Sequence, residues 1–142
     1  MNRLLVCVPI AILCVAIAGD AATITTTTTT IHLVRTDPTS GKQMFTSYCA
    51  PCHGIDGRGQ GPEASALKVQ PSDLTSLAKR HSGRFPDNHI YAVLCFGTNA
   101  GQHGSEMPNW GPILKSMSRT NPQSEELRIS NLSRYIQTLQ VR

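Results

Sequence analysis

Apolar side chains recur at Ile129, Leu132, Tyr135, Ile136 and Leu139, three or four positions apart, which is the stripe of an amphipathic helix. Its start falls at Ser124, with Glu125 and Glu126 in the first turn, where acidic groups suit the helix dipole. A similar pattern opens after Ser40, a good N-cap residue, where Met44, Phe45, Tyr48 and Cys49 fall on one face. Between these two helices the spacing predicts shorter ones. Residues 63–70 (EASALKVQ) read as one, and Ser72 caps a second that carries Leu74 and Leu77 and ends at Lys79 and Arg80. A third runs over 87–96 from Pro86 or Asp87, buries Ile90, Val93 and Leu94, and stops at Gly97. No stretch alternates apolar and polar residues, so the fold class predicted is all-α, with four or five short helices.

The N-terminal third follows other rules. Residues 4–18 form an apolar run behind Arg3, interrupted by Pro9 and followed by small residues and Asp20. At 15 residues it is shorter than the ~20 that span a bilayer, so residues 1–21 are expected to be a signal peptide cleaved near Ala21. An uncleaved anchor is the alternative, and membrane contact is expected only in that case. Residues 22–38 include six consecutive threonines from Thr25 to Thr30 and no apolar periodicity, which reads as a flexible linker. The domain proper is then 39–142.

Composition narrows the function classes. Loss of residues 1–21 deletes Arg3 and Asp20, so the formal charge stays at +4. No Lys/Arg cluster interleaved with aromatics occurs, and a nucleic-acid role finds no support. A mildly basic surface suits charge-steered encounter with an acidic redox partner. Export also removes Cys7 and Cys14 and leaves Cys49, Cys52 and Cys95. Cys95 is then the odd thiol, expected to pack as a small apolar side chain.

The chemistry concentrates at residues 49–53, CAPCH. Two cysteines with two residues between them and a histidine directly after are the form of covalent haem attachment. Cys49 and Cys52 would each form a thioether to one vinyl group, and His53 would supply an axial ligand to the iron. A dithiol redox pair or half of a zinc site uses a similar spacing. The redox pair normally follows a strand and opens a long helix, whereas here a helix precedes and the glycine-rich GIDGRGQGP (54–62) follows. That loop lacks the lysine and hydroxyl of a phosphate-binding P-loop. The chain has only three Phe, three Tyr and one Trp, so its own apolar core is thin, and a buried macrocycle would supply the missing mass.

A haem held by one histidine has room for a second ligand. Met44, Met107, Met117, His32, His81, His89 and His103 are the candidates in the mature chain. Met44 and Met117 read as packing residues and His32 as solvated, while Met107 lies in an irregular loop, EMPNWGP, stiffened by Pro108 and Pro112. His81 and His89 read as surface residues. His103, four residues before Met107, is open to reading as an exposed loop residue, a haem-edge residue or a switching ligand.

CAPCHG, DGRGQGP, PSDL, HGSEMPNWG and the closing amphipathic helix occur in the order seen in small class I c-type cytochromes, which the chain resembles over about residues 40–140. The resemblance implies the cytochrome c fold around one covalent haem c, with His53 and Met107 as axial ligands. It further implies a Pro62 carbonyl accepting the His53 ring proton, and crossed first and last helices with Gly41 and Phe45 meeting Tyr135. Leu74 and Trp110 are expected against the haem, though Trp110 reads equally as a core residue. Cys95 and the threonine run have no place in the family pattern. The function expected is electron transfer by an exported, periplasmic monohaem carrier, or by the cytochrome subunit of a redox complex, rather than an enzyme in its own right. A gas-binding sensor or peroxidase with a displaceable Met107 is the alternative, and a thioredoxin-like oxidoreductase a more distant one.

Overall fold

The computed structural model describes residues 34–97, 106–118 and 123–141. The expected signal peptide (1–21), the threonine run, His32 and His103 lie outside the described residues. Within them every regular element is helical.

Helix α1 (Gly41–Met44) begins where Ser40 Oγ accepts the Gln43 amide at 3.2 Å. It passes into a π-helical turn, Phe45–Cys49, and then into α2 (Ala50–His53). The wider turn has a local cause. Pro51 has no amide to donate, and in a regular α-helix its ring would press on the Ser47 carbonyl. The chain opens instead to a five-residue repeat, with the Ala50 amide donating to the Phe45 carbonyl. Met44, Phe45, Tyr48 and Cys49 are all buried, as their spacing predicts.

After α2 the glycine loop folds back beneath it. The amides of Gly59, Gly61 and Glu63 donate to the carbonyls of His53, Cys52 and Pro51 at 2.6, 3.0 and 2.9 Å, satisfying the groups a helix C-terminus leaves open. Gly59 has φ +80°, and a Cβ there would lie 3.1 Å from the Pro71 carbonyl carbon, so only glycine lets the two backbones meet.

Two expected helices shrink. Residues 63–70 form only a 3₁₀ turn, Ala64–Ala66, with Leu67 already extended. The Lys68 and Val69 amides donate to the Glu106 carboxylate at 2.9 and 3.3 Å, a side-chain acceptor that competes with helix continuation. The next segment is capped by Asp73 rather than Ser72, because Asp73 Oδ1 accepts both the amide and the hydroxyl of Thr75 at 2.7 Å. A 3₁₀ turn (Leu74–Ser76) leads into α3 (Leu77–Arg80).

Helix α4 (Asp87–Phe96) and α6 (Gln123–Thr138) agree with the periodicity. Helix α5 (Trp110–Met117) was not expected, because Pro112 reads as a breaker. It occupies the third position of the helix, where an amide has no intrahelical acceptor to lose. The N- and C-terminal helices meet at Gly41, where a Cβ would sit 2.8 Å from the Asn131 carbonyl carbon and 2.9 Å from Tyr135 Cβ. Beside this contact Phe45 and Tyr135 pack with ring centroids 5.3 Å apart at 52°.

The linker expected over 22–38 ends earlier than predicted. Thr36 is buried, its hydroxyl 2.9 Å from Tyr48 Oη and accepting from Arg128 at 3.1 Å. Tyr48 Oη also donates to the Val34 carbonyl at 2.6 Å, and Asn131 Nδ2 donates to that of Pro38 at 3.0 Å. A threonine-rich composition conceals this because the anchoring runs through side-chain hydrogen bonds to distant residues, which have no periodicity.

Candidate functional site

Cys49 at the end of the π-helical turn and Cys52 and His53 of α2 line one cavity of ≈ 350 Å³, within the ~300–1,000 Å³ range of cofactor sites. Met107 and Pro108, from the loop before α5, line it too. Leu74, Leu77, Ile90, Leu94, Trp110 and Ile136 supply apolar walls. The cavity therefore joins two thiols, an imidazole and a thioether within hydrophobic surroundings. That donor set fits a flat, apolar, iron-bearing macrocycle held by its edge. It does not fit a structural zinc site, and among the described residues no three His, Cys, Asp or Glu side chains gather to bind a metal ion.

His53 is buried, and its Nδ1 lies 2.9 Å from the Ser72 carbonyl. A carbonyl can only accept, so Nδ1 carries a proton and donates it to Ser72. The resemblance gave this accepting role to Pro62. In the structure Pro62 is exposed and does not line the cavity, and the acceptor shown at Nδ1 is Ser72. The reason lies in the segment after the glycine loop: the backbone approach at Gly59 brings the 71–72 strand of chain against α2, and Asp73 takes over the capping duty expected of Ser72. PSDL marked the right stretch without showing which atom would serve.

The thiols are ordinary rather than activated. Burial, with the neighbouring Cys52 adding to it, pushes the Cys49 thiol up to about 12. Burial also raises Cys52, helped by the Glu63 carboxylate 3.9 Å from its sulfur. A dithiol oxidoreductase depends on a depressed thiol, so this environment argues against that reading. Both cysteines are free of disulfides, as is Cys95. Cys95 is half-buried on α4, raised by burial against a hydrogen bond from Tyr91, and its backbone presses on Gly111 of α5.

Trp110 is 96% buried and lines the cavity while stacking on Tyr48 at 5.3 Å and 27°, so it serves both as core residue and as wall. Leu74 lines it as expected. Tyr48, Arg80, His81, His89 and Glu106 also reach the cavity and were not anticipated. The two histidines are exposed, as expected of surface residues, yet their rings lie 6.1 Å apart at one end of the cavity. Tyr48 shares a face with Cys49, the one sequence signal that could have indicated it; Arg80 and His89 are polar residues of short helices, and His81 and Glu106 come from loops. Met44 and Met117 pack in or against the core, in keeping with their reading as packing residues.

No curated protein matches the chain. The family model described as Cytochrome c matches residues 38–140, well over half of the 142 residues. With an all-helical fold, a cavity of suitable chemistry and CAPCH at its wall, the chain belongs to the cytochrome c family, whose members carry covalently attached haem c.

Proposed function

We propose that this protein is an exported, periplasmic one-electron carrier, or the cytochrome subunit of a redox complex, with haem c held by thioethers to Cys49 and Cys52 and ligated by His53 and Met107. Family membership supports haem-based electron transfer in general and exchange with redox partner proteins. One observation carries the finer reading: both thiols, the His53 imidazole and the Met107 thioether line a single apolar cavity. Haem c supplies an iron that changes valence by one electron.

The chain's own residues prepare that exchange. The Ser72 carbonyl fixes the His53 tautomer, orients the ring and makes Nε2 the ligating nitrogen. Pro108 restrains Met107 directly after its thioether arm. Leu74, Leu77, Leu94 and Trp110 exclude water from the cavity, and both a dry site and a thioether ligand favour the ferrous state. With His53 and Met107 both holding the iron, no position would be left for a substrate, which is why a carrier is favoured over an enzyme. Among the described residues no helix is long and apolar enough to cross a membrane; export rests on the segment 1–21.

The test is the visible spectrum of purified full-length protein, oxidised, reduced and reduced with carbon monoxide. The expected result is haem that survives acid–acetone extraction, a weak far-red band when ferric, and slow or no carbon monoxide binding. A colourless protein refutes the haem site; rapid carbon monoxide binding refutes Met107 as a standing ligand.

A further inference from the structure

Arg128 of α6 is 94% buried, and among the described residues it has no carboxylate within 4.0 Å. Its Nη1 donates to the Thr36 hydroxyl at 3.1 Å and lies 3.9 Å from Met44 Sδ, both neutral acceptors, and its Nε has no hydrogen-bond partner. A buried cation of this kind is expensive, since burial removes its hydration and among the described residues no counter-ion replaces it. Asp37 senses its field but is exposed and held low chiefly by Thr39. The geometry connects this charge to the cavity: Thr36 bonds Tyr48, and Tyr48 lines the cavity and stacks on Trp110.

We propose that Arg128 sets the reduction potential: it is a fixed positive charge, walled off from solvent, that biases the iron toward its ferrous state. The proposal rests on the haem reading above. On reduction ferric iron takes one electron from a donor protein, and on reoxidation gives one to an acceptor, so the charge of the site falls and then rises by one. A buried cation favours the less positive state, and the interior screens it far less than water screens a surface charge. Arginine suits the task because a guanidinium keeps its charge in apolar surroundings. Charge, not contact, is the operative property.

The experiment compares midpoint potentials of the haem-loaded full-length protein and its Arg128→Met, Arg128→Gln and Thr36→Val variants by spectroelectrochemical titration, with a thermal melt of each. Arg128→Met or Arg128→Gln, whichever folds with haem, is expected to lower the ferrous-to-ferric ratio at a fixed applied potential by about threefold to tenfold. Tenfold corresponds to 59 mV for one electron. Thr36→Val breaks the connecting bond but keeps the charge, and is expected to melt earlier at an unchanged potential. An unchanged potential in a haem-loaded Arg128 variant overturns the proposal, as does an equal shift in Thr36→Val, which would assign the effect to packing. A wild-type protein without covalent haem overturns the function on which the proposal rests, and is recognised before any variant is made.

Discussion

Replacing Gly41 by alanine tests how tightly the two terminal helices are joined. In an exposed helix the change would be favourable by about 1 kcal/mol, since glycine carries the larger entropy cost. Here the added Cβ would lie 2.8 Å from the Asn131 carbonyl carbon and 2.9 Å from Tyr135 Cβ, where ordinary contact begins at 3.4 Å. The obstacle is backbone and a Cβ, neither of which can rotate aside, so α1 and α6 must separate by roughly half an ångström or more. Overpacking of this kind costs about 1–3 kcal/mol, and opening the crossing also loosens the Phe45–Tyr135 ring contact at 5.3 Å. The net expectation is a loss of about 2 kcal/mol. For a domain near 100 residues that lowers the melting temperature by about 8–16 °C. Guanidinium unfolding of holoprotein, followed by circular dichroism, reads the change, and Lys42→Ala on the exposed side of α1 serves as the control. A Gly41→Ala protein as stable as wild type would mean that the helices do not cross at this point.

Other expectations follow from single residues. Met107→Ala is expected to lower the midpoint potential and admit carbon monoxide, and an unchanged ferric far-red band would reassign the ligand. Cys49→Ala with Cys52→Ala is expected to release haem on acid–acetone extraction, whereas Cys95→Ser retains it, since Cys95 lies off the cavity lining. Tyr48→Phe removes bonds to Val34 and Thr36 and is expected to cost about 1–2 kcal/mol by chemical denaturation. Burial opposes ionisation of Asp73, but the Thr75 hydroxyl and amide, with Arg58 and Arg80, hold its carboxyl below the ordinary value of 3.8. A carboxyl lowered in the folded state stabilises above its ordinary value, and that stability is lost as pH falls through the folded value. Asp73→Asn is therefore expected to flatten the acid limb of a stability–pH curve; an unaltered limb would show that Asp73 caps without charge linkage.

Helices with a continuous apolar stripe were legible in the sequence, and those built by exceptions were not. Ile129, Leu132 and Ile136 of α6 repeat strongly enough to outvote every local preference, as do Ile90 and Leu94 of α4. Residues 63–70 have helical composition, yet the Glu106 carboxylate claims two of their amides from 37 and 38 positions away, a contact no local pattern contains. Pro112 misled in the opposite direction, because a proline in a first turn and a proline in a loop look alike until the helix start is known. At the site, CAPCH was readable because covalent attachment fixes residue type and spacing, and Met107 lines the same cavity. The acceptor for His53 was not, because any backbone carbonyl can fill that role and Ser72 does so through chain path alone.

The crossing of α1 and α6 joins residues that are far apart in the chain, with Gly41 against Asn131. Such a closure is slow, because the entropy of the long intervening loop is lost before any contact returns it. Cys49 ends 92% buried, and it lines the cavity together with Ile136 of α6. The docking that closes the crossing therefore also completes the wall around the haem-binding thiol, so the last long-range step of folding and the completion of the site are one event.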